Sequence, residues 1–204
     1  MIKYRLVIAD PPWQYNDQGT RLSPEYEGKQ RKSGKRYDGM TLQEICALGE
    51  WVRWITESDS ILLLWSTPPL RETHPWPVLK AWGYEYKTSI PWLKGRWDEK
   101  RKRFVHHIAG GHYARACSED LLICTRGKAA SMIVDKGVPG AIIAPSRGKG
   151  IVHSQKPDQQ YEIAEKLLGG KGPFFEMFAR SNRYKWDYWG DHWWWGSDLV
   201  NGKG

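Results

Sequence analysis

Apolar runs alternate with amphipathic segments along the first half of the chain in the order strand, helix, strand, helix, strand. This order predicts an α/β fold with a parallel sheet and helices on its faces. Two further observations agree. The first apolar run, Leu6-Val7-Ile8-Ala9, is followed at once by Asp10-Pro11-Pro12, as expected of a buried strand whose C-terminal tip is held rigid. The chain has 204 residues, of which 40% are hydrophobic, so residues 1–204 suit one domain with an ample core.

Taken in order, the strand ending at Ala9 runs into Asp10-Pro11-Pro12-Trp13. Residues 16–39 are polar, rich in Gly, Lys and Arg, and without periodicity. A loop this long inside a compact domain is more often functional than idle. Thr41-Leu42-Gln43-Glu44 is a capping box, and Leu42, Ile45 and Leu48 give its short helix one apolar face. Ser60 to Trp65 reads as a second buried strand, broken by Ser66-Thr67-Pro68-Pro69. A helix around Trp76 to Trp82 ends at Gly83, and Tyr84 to Leu93 reads as a third strand. Residues 95–118 form a second long polar segment carrying Arg101, Lys102, Arg103, His106, His107 and His112. Asp120 to Cys124 is a fourth strand with Glu119 at its entrance, and Ala141 to Ala144 a short fifth. Pro157 occupies a helix's first position, Tyr161, Ala164, Leu167 and Leu168 share one face, and Gly169-Gly170 ends it. The last strand is Pro173 to Phe178.

A net charge of +8 points to a polyanionic partner, and the excess is concentrated at residues 29–36 and 94–103. Thirteen tryptophans, interleaved with basic residues, suit base stacking, although most of so many must serve the core. Three scattered cysteines, Cys46, Cys117 and Cys124, read as reduced thiols, hence a cytoplasmic protein. No apolar run approaches a membrane span and the N-terminus lacks signal-peptide architecture, so no membrane partner is expected. The three histidines and Cys117 fit no tight ligand spacing, and no metal is expected.

The residue types at the first strand tip suggest a chemistry. The amine of a nucleobase is a poor nucleophile because its lone pair is delocalised into the ring. It attacks an electrophilic methyl group once its nitrogen is drawn towards tetrahedral geometry and the developing charge is stabilised. The Asp10 carboxylate can accept one N–H, a charge-assisted bond of roughly 1.5–3 kcal/mol. Pro12 restricts Pro11 to an extended conformation, which can fix the Pro11 carbonyl as acceptor for the second. Trp13 offers a stacking face, and Lys156, just before a helix, can pair with a carboxylate or with substrate.

Five collinear blocks carry a family resemblance: Asp10-Pro11-Pro12-Trp13, Trp82-Gly83-Tyr84, Glu119, His153-Ser154-Gln155-Lys156-Pro157, and Glu176 to Arg180 with Trp186 and Gly190. Together they resemble the MT-A70 family of S-adenosylmethionine-dependent adenine-N6 methyltransferases of nucleic acids. The resemblance implies a Rossmann-like methyltransferase sheet in permuted order, with the catalytic motif preceding the cofactor-binding strand. It implies catalytic roles for Asp10, Pro11, Pro12 and Trp13, and places Asp10 and Lys156 by the cofactor together with Phe178, Arg180, Asn182, Gly190 and Asp191. Glu119 and Lys156 fall at the substrate, as does Tyr15 by stacking, and Lys35, Arg36, Arg101 and Arg103 of the loops 16–39 and 95–118 are expected to contact it. Asp191 stands where the family often has asparagine, so Asp187 or Asp191 is an alternative grip on ribose hydroxyls. The implied partner is nucleic acid, DNA favoured over RNA, with a second copy of the chain as a further candidate. A non-catalytic nucleic-acid-binding subunit of the same fold is the alternative from a different class.

Overall fold

The computed structural model describes residues 2–14, 39–108, 113–146, 155–180 and 183–190, and the backbone of 193–196. In chain order the elements are β1 (Tyr4–Ala9), α1 (Leu42–Ala47), α2 (Gly49–Ile55), β2 (Thr56–Ser66), α3 (Pro75–Trp82), β3 (Glu85–Asp98), β4 (Arg103–His106), β5 (Ser118–Arg126), β6 (Ile142–Ala144), α4 (Gln159–Leu167), β7 (Phe174–Met177), β8 (Trp186–Gly190) and β9 (Trp193–Gly196). No helix among the described residues is long and apolar enough to cross a membrane.

The strands form one sheet in the order β4-β3-β5-β2-β1-β7-β8-β9, with β6 paired to β3. β1 lies parallel to both β2 and β7, and β7 parallel to β8. The expectation of a wholly parallel sheet needs correction, because β5 is inserted antiparallel between β2 and β3. The reason lies in the connections. Parallel neighbours require a crossover of a dozen or more residues, usually helical. β3 instead returns directly as β4, and no helix among the described residues separates it from β5.

Side-chain alternation along the strands divides the apolar residues between two cores. Leu6, Ile8, Ile61, Leu63, Trp65, Leu121 and Ile123 face α4 through Tyr161, Ile163, Ala164 and Leu167. Val7, Ala9, Leu62, Leu64, Leu122 and Cys124 face the other way, onto Ile45, Val52, Val78, Leu79 and Trp82 of α1, α2 and α3. The capping box holds: the Glu44 N–H donates to Thr41 Oγ1 at 3.2 Å and the Thr41 N–H to Glu44 Oε2 at 2.7 Å. At the end of α3, Gly83 adopts the left-handed φ of 81° that a side chain would oppose. Two stretches differ from expectation. α4 begins at Gln159, two residues beyond Pro157. Residues 95–106 are a continuation of β3 and its return as β4, where Trp97 pairs with Phe104 across the hairpin.

This topology gathers particular ends on one edge of the sheet. The C-terminal ends of β1, β2 and β7 meet the middle of β3 and the N-terminal end of β5 there, since Ala9 pairs with Met177 and Leu64, Ser66 with Asp120, and Trp92 with Glu119. At β1 the packing helices change faces, α1 and α2 after it lying on one side and α4 before β7 on the other. Such a switch point opens a crevice at the strand ends, where ligands bind in α/β sheets.

Candidate active site

Asp10 is the first residue past β1, and the strand pairings on both sides of Ala9 fix where its side chain starts. Lys156, immediately before Pro157 and α4, reaches it from the opposite layer: Lys156 Nζ donates to Asp10 Oδ2 at 2.7 Å. The same nitrogen lies 3.1 Å from Glu119 Oε2 at the entrance of β5. Glu119 Oε1 in turn accepts from Lys94 Nζ of β3. Two carboxylates and two ammoniums therefore alternate, Asp10, Lys156, Glu119, Lys94, across four segments. The ammoniums rest on indole faces, Lys156 over Trp65 at 5.5 Å and Lys94 over Trp92 at 4.8 Å.

Electrostatics keep Lys156 and Glu119 charged. Burial pushes the Lys156 ammonium towards deprotonation, but Asp10 and Glu119 outweigh it and its pKa lies above the ordinary lysine value. Burial likewise opposes ionisation of Glu119, and the charges of Lys156 and Lys94 reverse the effect, holding it below the usual carboxylate range. Lys156 at neutral pH is a proton donor with no lone pair to offer.

Beside this row lies a cavity of about 260 Å³ between α4 and the end of β7, lined by Asp10, Lys156, Tyr161, Glu176, Phe178 and Arg180 among others. Glu176 projects towards α4 from within an apolar strand, and the Tyr161 hydroxyl donates to its Oε2 at 2.9 Å. Burial, aided by the nearby charge of Asp10 and opposed by the Tyr161 hydrogen bond and Arg183, pushes its pKa up to about 7. Phe178 turns the chain out of β7 with φ of 62°, rare for a side chain of this bulk, and its ring meets that of Trp189 at 5.2 Å. Strain of this kind gathers at functional sites. Arg183 stacks over Tyr161 at 4.2 Å.

The tip itself is tightly tied. The Trp13 N–H donates to the Pro11 carbonyl at 2.8 Å and the Met40 N–H to the Pro12 carbonyl at 2.8 Å. Trp13 and Met40 form a bridge, so the chain leaves the tip at Gln14 and returns to it at Gly39. A Cβ at Gly39 would stand 2.9 Å from the Pro12 oxygen, which explains the glycine.

Several expectations require correction. Trp13 is only 7% exposed, its indole N–H donates to the Trp65 carbonyl at 3.2 Å, and its ring abuts His74 edge-on at 5.8 Å. It braces the tip and offers no open face for stacking. Asp187 is 1% exposed and accepts from the Tyr4 hydroxyl at 2.7 Å, which removes it as a grip on ribose. Gly190 does not line the cavity: a Cβ there would collide with the Ala179 carbonyl oxygen, so the glycine lets β8 approach that backbone. Arg101 and Arg103, expected at the nucleic acid and not at the cofactor, are exposed at the β3–β4 turn outside the cavity, with Arg101 3.6 Å from Asp98. Asp98 is four residues beyond Lys94, or about 13 Å along an extended strand. Tyr15, Lys35, Arg36, Asn182 and Asp191 lie outside the described residues.

Sequence reading missed Lys94, Glu176, Tyr161 and Arg183. The signal for Glu176 was present, a charge inside the apolar run Phe174 to Phe178. Lys94 was hidden in a basic run read as loop, although in an extended strand it shares a face with Trp92.

The cavity suits S-adenosylmethionine by its donor set. Carboxylates of Asp10 and Glu176 answer a sulfonium and an ammonium, Arg180 and Arg183 a carboxylate, and Phe178 an apolar ring. Comparisons with known proteins point the same way. The MT-A70 family model matches residues 4–192. The chain is 30% identical over 198 residues to the Type II methyltransferase M.MunI of Mycoplasma sp, covering 92% of this chain and 77% of that protein. It is 27% identical over 179 residues to the N(6)-adenosine-methyltransferase MT-A70-like protein of Drosophila melanogaster, covering 87% of this chain and 24% of that one. It is 26% identical over 182 residues to the human N(6)-adenosine-methyltransferase catalytic subunit METTL3, covering 87% and 26%. The chain thus spans about a quarter of these last two and most of the first. With Asp10, Glu119, Lys156 and Phe178 brought to one sheet edge and the family model matched over nearly the whole length, the chain belongs to the MT-A70 family of S-adenosylmethionine-dependent adenine-N6 methyltransferases.

Proposed function

We propose that the chain methylates N6 of adenine in DNA, with Asp10 as the acceptor that orients the target amine. The observation that carries this reading is the position of Asp10: a carboxylate past β1, at the sheet's switch point, on the wall of the cavity whose donor set suits the cofactor. Bound S-adenosylmethionine supplies an electrophilic methyl on sulfur, so that a carbon–nitrogen bond forms as a carbon–sulfur bond breaks. The protein's own part is positioning and charge stabilisation. The target adenine leaves its stack and enters beside Asp10. One amine hydrogen goes to the Asp10 carboxylate and the other to the Pro11 carbonyl, whose second lone pair is available beside its bond from Trp13. As positive charge grows on the nitrogen, Asp10 offsets it and afterwards passes the surplus proton to water. Stacking on the base falls to residues other than Trp13, with Tyr15 next along the chain. Arg180 and Phe178 hold the cofactor's polar and apolar ends.

DNA is favoured over RNA by the chain's likeness to a Type II methyltransferase, at 30% identity against 27% and 26% for the relatives named for adenosine. Sequencing of methylated adenines in DNA from cells expressing the protein, with RNA assayed in parallel, tests this. N6-methyladenine recurring at one DNA context is the expected outcome. Its confinement to RNA would contradict the choice of DNA.

A further inference from the structure

The four alternating charges at the strand ends cancel in sum but not in bonding. Lys156 Nζ makes a well-formed hydrogen bond to Asp10 Oδ2 at 2.7 Å, whereas buried Glu119 Oε2 is ion-paired to the same nitrogen at 3.1 Å without the alignment of a good hydrogen bond. The other Glu119 oxygen is held by Lys94. A buried carboxylate oxygen paired by charge but poorly aligned gains when the neighbouring lysine turns its N–H towards it, so Glu119 Oε2 is a second acceptor within a small movement of Lys156.

We propose that Lys156 is a positioning residue that changes partner, holding Asp10 in the resting site and moving its hydrogen bond to Glu119 Oε2 as the target amine engages Asp10, with Lys94 anchoring Glu119. This rests on the reading of Asp10 as acceptor of the target amine. The physical need arises from like charges. An amine nitrogen gaining a methyl group becomes cationic beside a carboxylate that already carries an ammonium. While Lys156 stays on Asp10, the two cations share one anion and repel each other. Transfer of Lys156 by a fraction of its reach gives Asp10's charge to the nitrogen and satisfies Glu119 in the same movement. The benefit is absent before methyl transfer and present during it, so it belongs to kcat rather than to substrate binding.

The test measures initial rates with labelled S-adenosylmethionine and plasmid DNA from a host without adenine methylation. Wild type, Asp10→Asn, Glu119→Gln, Lys156→Met and the double variant Glu119→Gln/Lys156→Met are compared, with melting temperatures confirming folding. Glu119→Gln nearly preserves shape and is expected to lower kcat about tenfold with KM for DNA changed less than about twofold, as loss of a charge-assisted acceptor implies. In the Lys156→Met background the same change is expected to cost less than about twofold, because no lysine remains to be received. An equal cost in both backgrounds, or a rise in KM with kcat preserved, overturns the proposal. If the double variant does not fold, the division between kcat and KM in Glu119→Gln alone decides. Asp10→Asn separates this from the underlying reading: full activity there removes Asp10's role and the exchange with it. Loss there with kcat intact in Glu119→Gln removes the exchange alone.

Discussion

Glu176 brings a carboxylate into a strand that is otherwise apolar, and its environment sets when it ionises. Burial and the neighbouring Asp10 charge raise its pKa from 4.5 to about 7 against the Tyr161 hydrogen bond and Arg183. A carboxyl whose folded pKa exceeds its unfolded value binds more protons when folded, so its contribution favours the folded state at low pH. That contribution is lost as pH rises between 4.5 and about 7, a change of about 3 kcal/mol at most. Glu176→Gln is expected to flatten the pH dependence of stability across this window and to raise stability at pH 8, as measured by urea unfolding at several pH values. An unchanged slope would show that Glu176 is ionised throughout. At this scale the sequence was informative where a polar residue borders a strand or a helix, as with Asp10 and Glu119 at strand ends and Lys156 before α4. It was silent for Trp13, because an indole beside two prolines reads alike whether it stacks on a ligand or on protein. The decision was made by His74 and the Trp65 carbonyl, more than fifty residues away.

The β3–β4 hairpin is the element that most changes the expected account of DNA contact. Its turn holds Lys100, Arg101, Lys102 and Arg103, and Trp97 is 53% exposed opposite Phe104. A paired hairpin with a basic turn and an exposed indole can meet a phosphate backbone where a free loop would first have to be ordered. Each of Arg101→Ala and Arg103→Ala is expected to weaken DNA binding across sequences and to reduce the slope of log affinity against log salt by about 1. Fluorescence anisotropy titrations at several salt concentrations measure this, and an unaltered slope would take the hairpin off the DNA. At the other end of the sheet, Gly190→Ala forces a Cβ onto the Ala179 carbonyl and is expected to destabilise the fold by about 1–3 kcal/mol in chemical denaturation. Stability unchanged by that substitution would contradict the close approach of β8. Local signals announced the capped helices α1 and α3 because their caps lie within a few residues of the elements they stop. The hairpin was concealed by its charges, which are polar enough to read as loop and yet alternate as a strand requires.

Across the whole molecule, the +8 charge and the single sheet serve one arrangement. Two cores, one on each face, fix the strand ends, and Asp10 at one of them lines a cavity beside β7 together with Lys156, which Glu119 pairs from behind. Strand positions and helix faces were legible because periodicity is local. The strand order was not, since placing β5 between β2 and β3 depends on pairings between residues some sixty positions apart, which leave no periodic trace. The proposed role of the Asp10 carboxylate is to hold an adenine amine for methyl transfer. It is tested most directly by mass spectrometry of nucleosides from DNA incubated with labelled S-adenosylmethionine and either wild type or Asp10→Asn. The expected result is label in N6-methyladenine with the wild type and a rate lower by about 10²–10⁴ with the variant, cofactor binding being largely kept. Equal labelling by both proteins, or label in a different nucleoside, would contradict it.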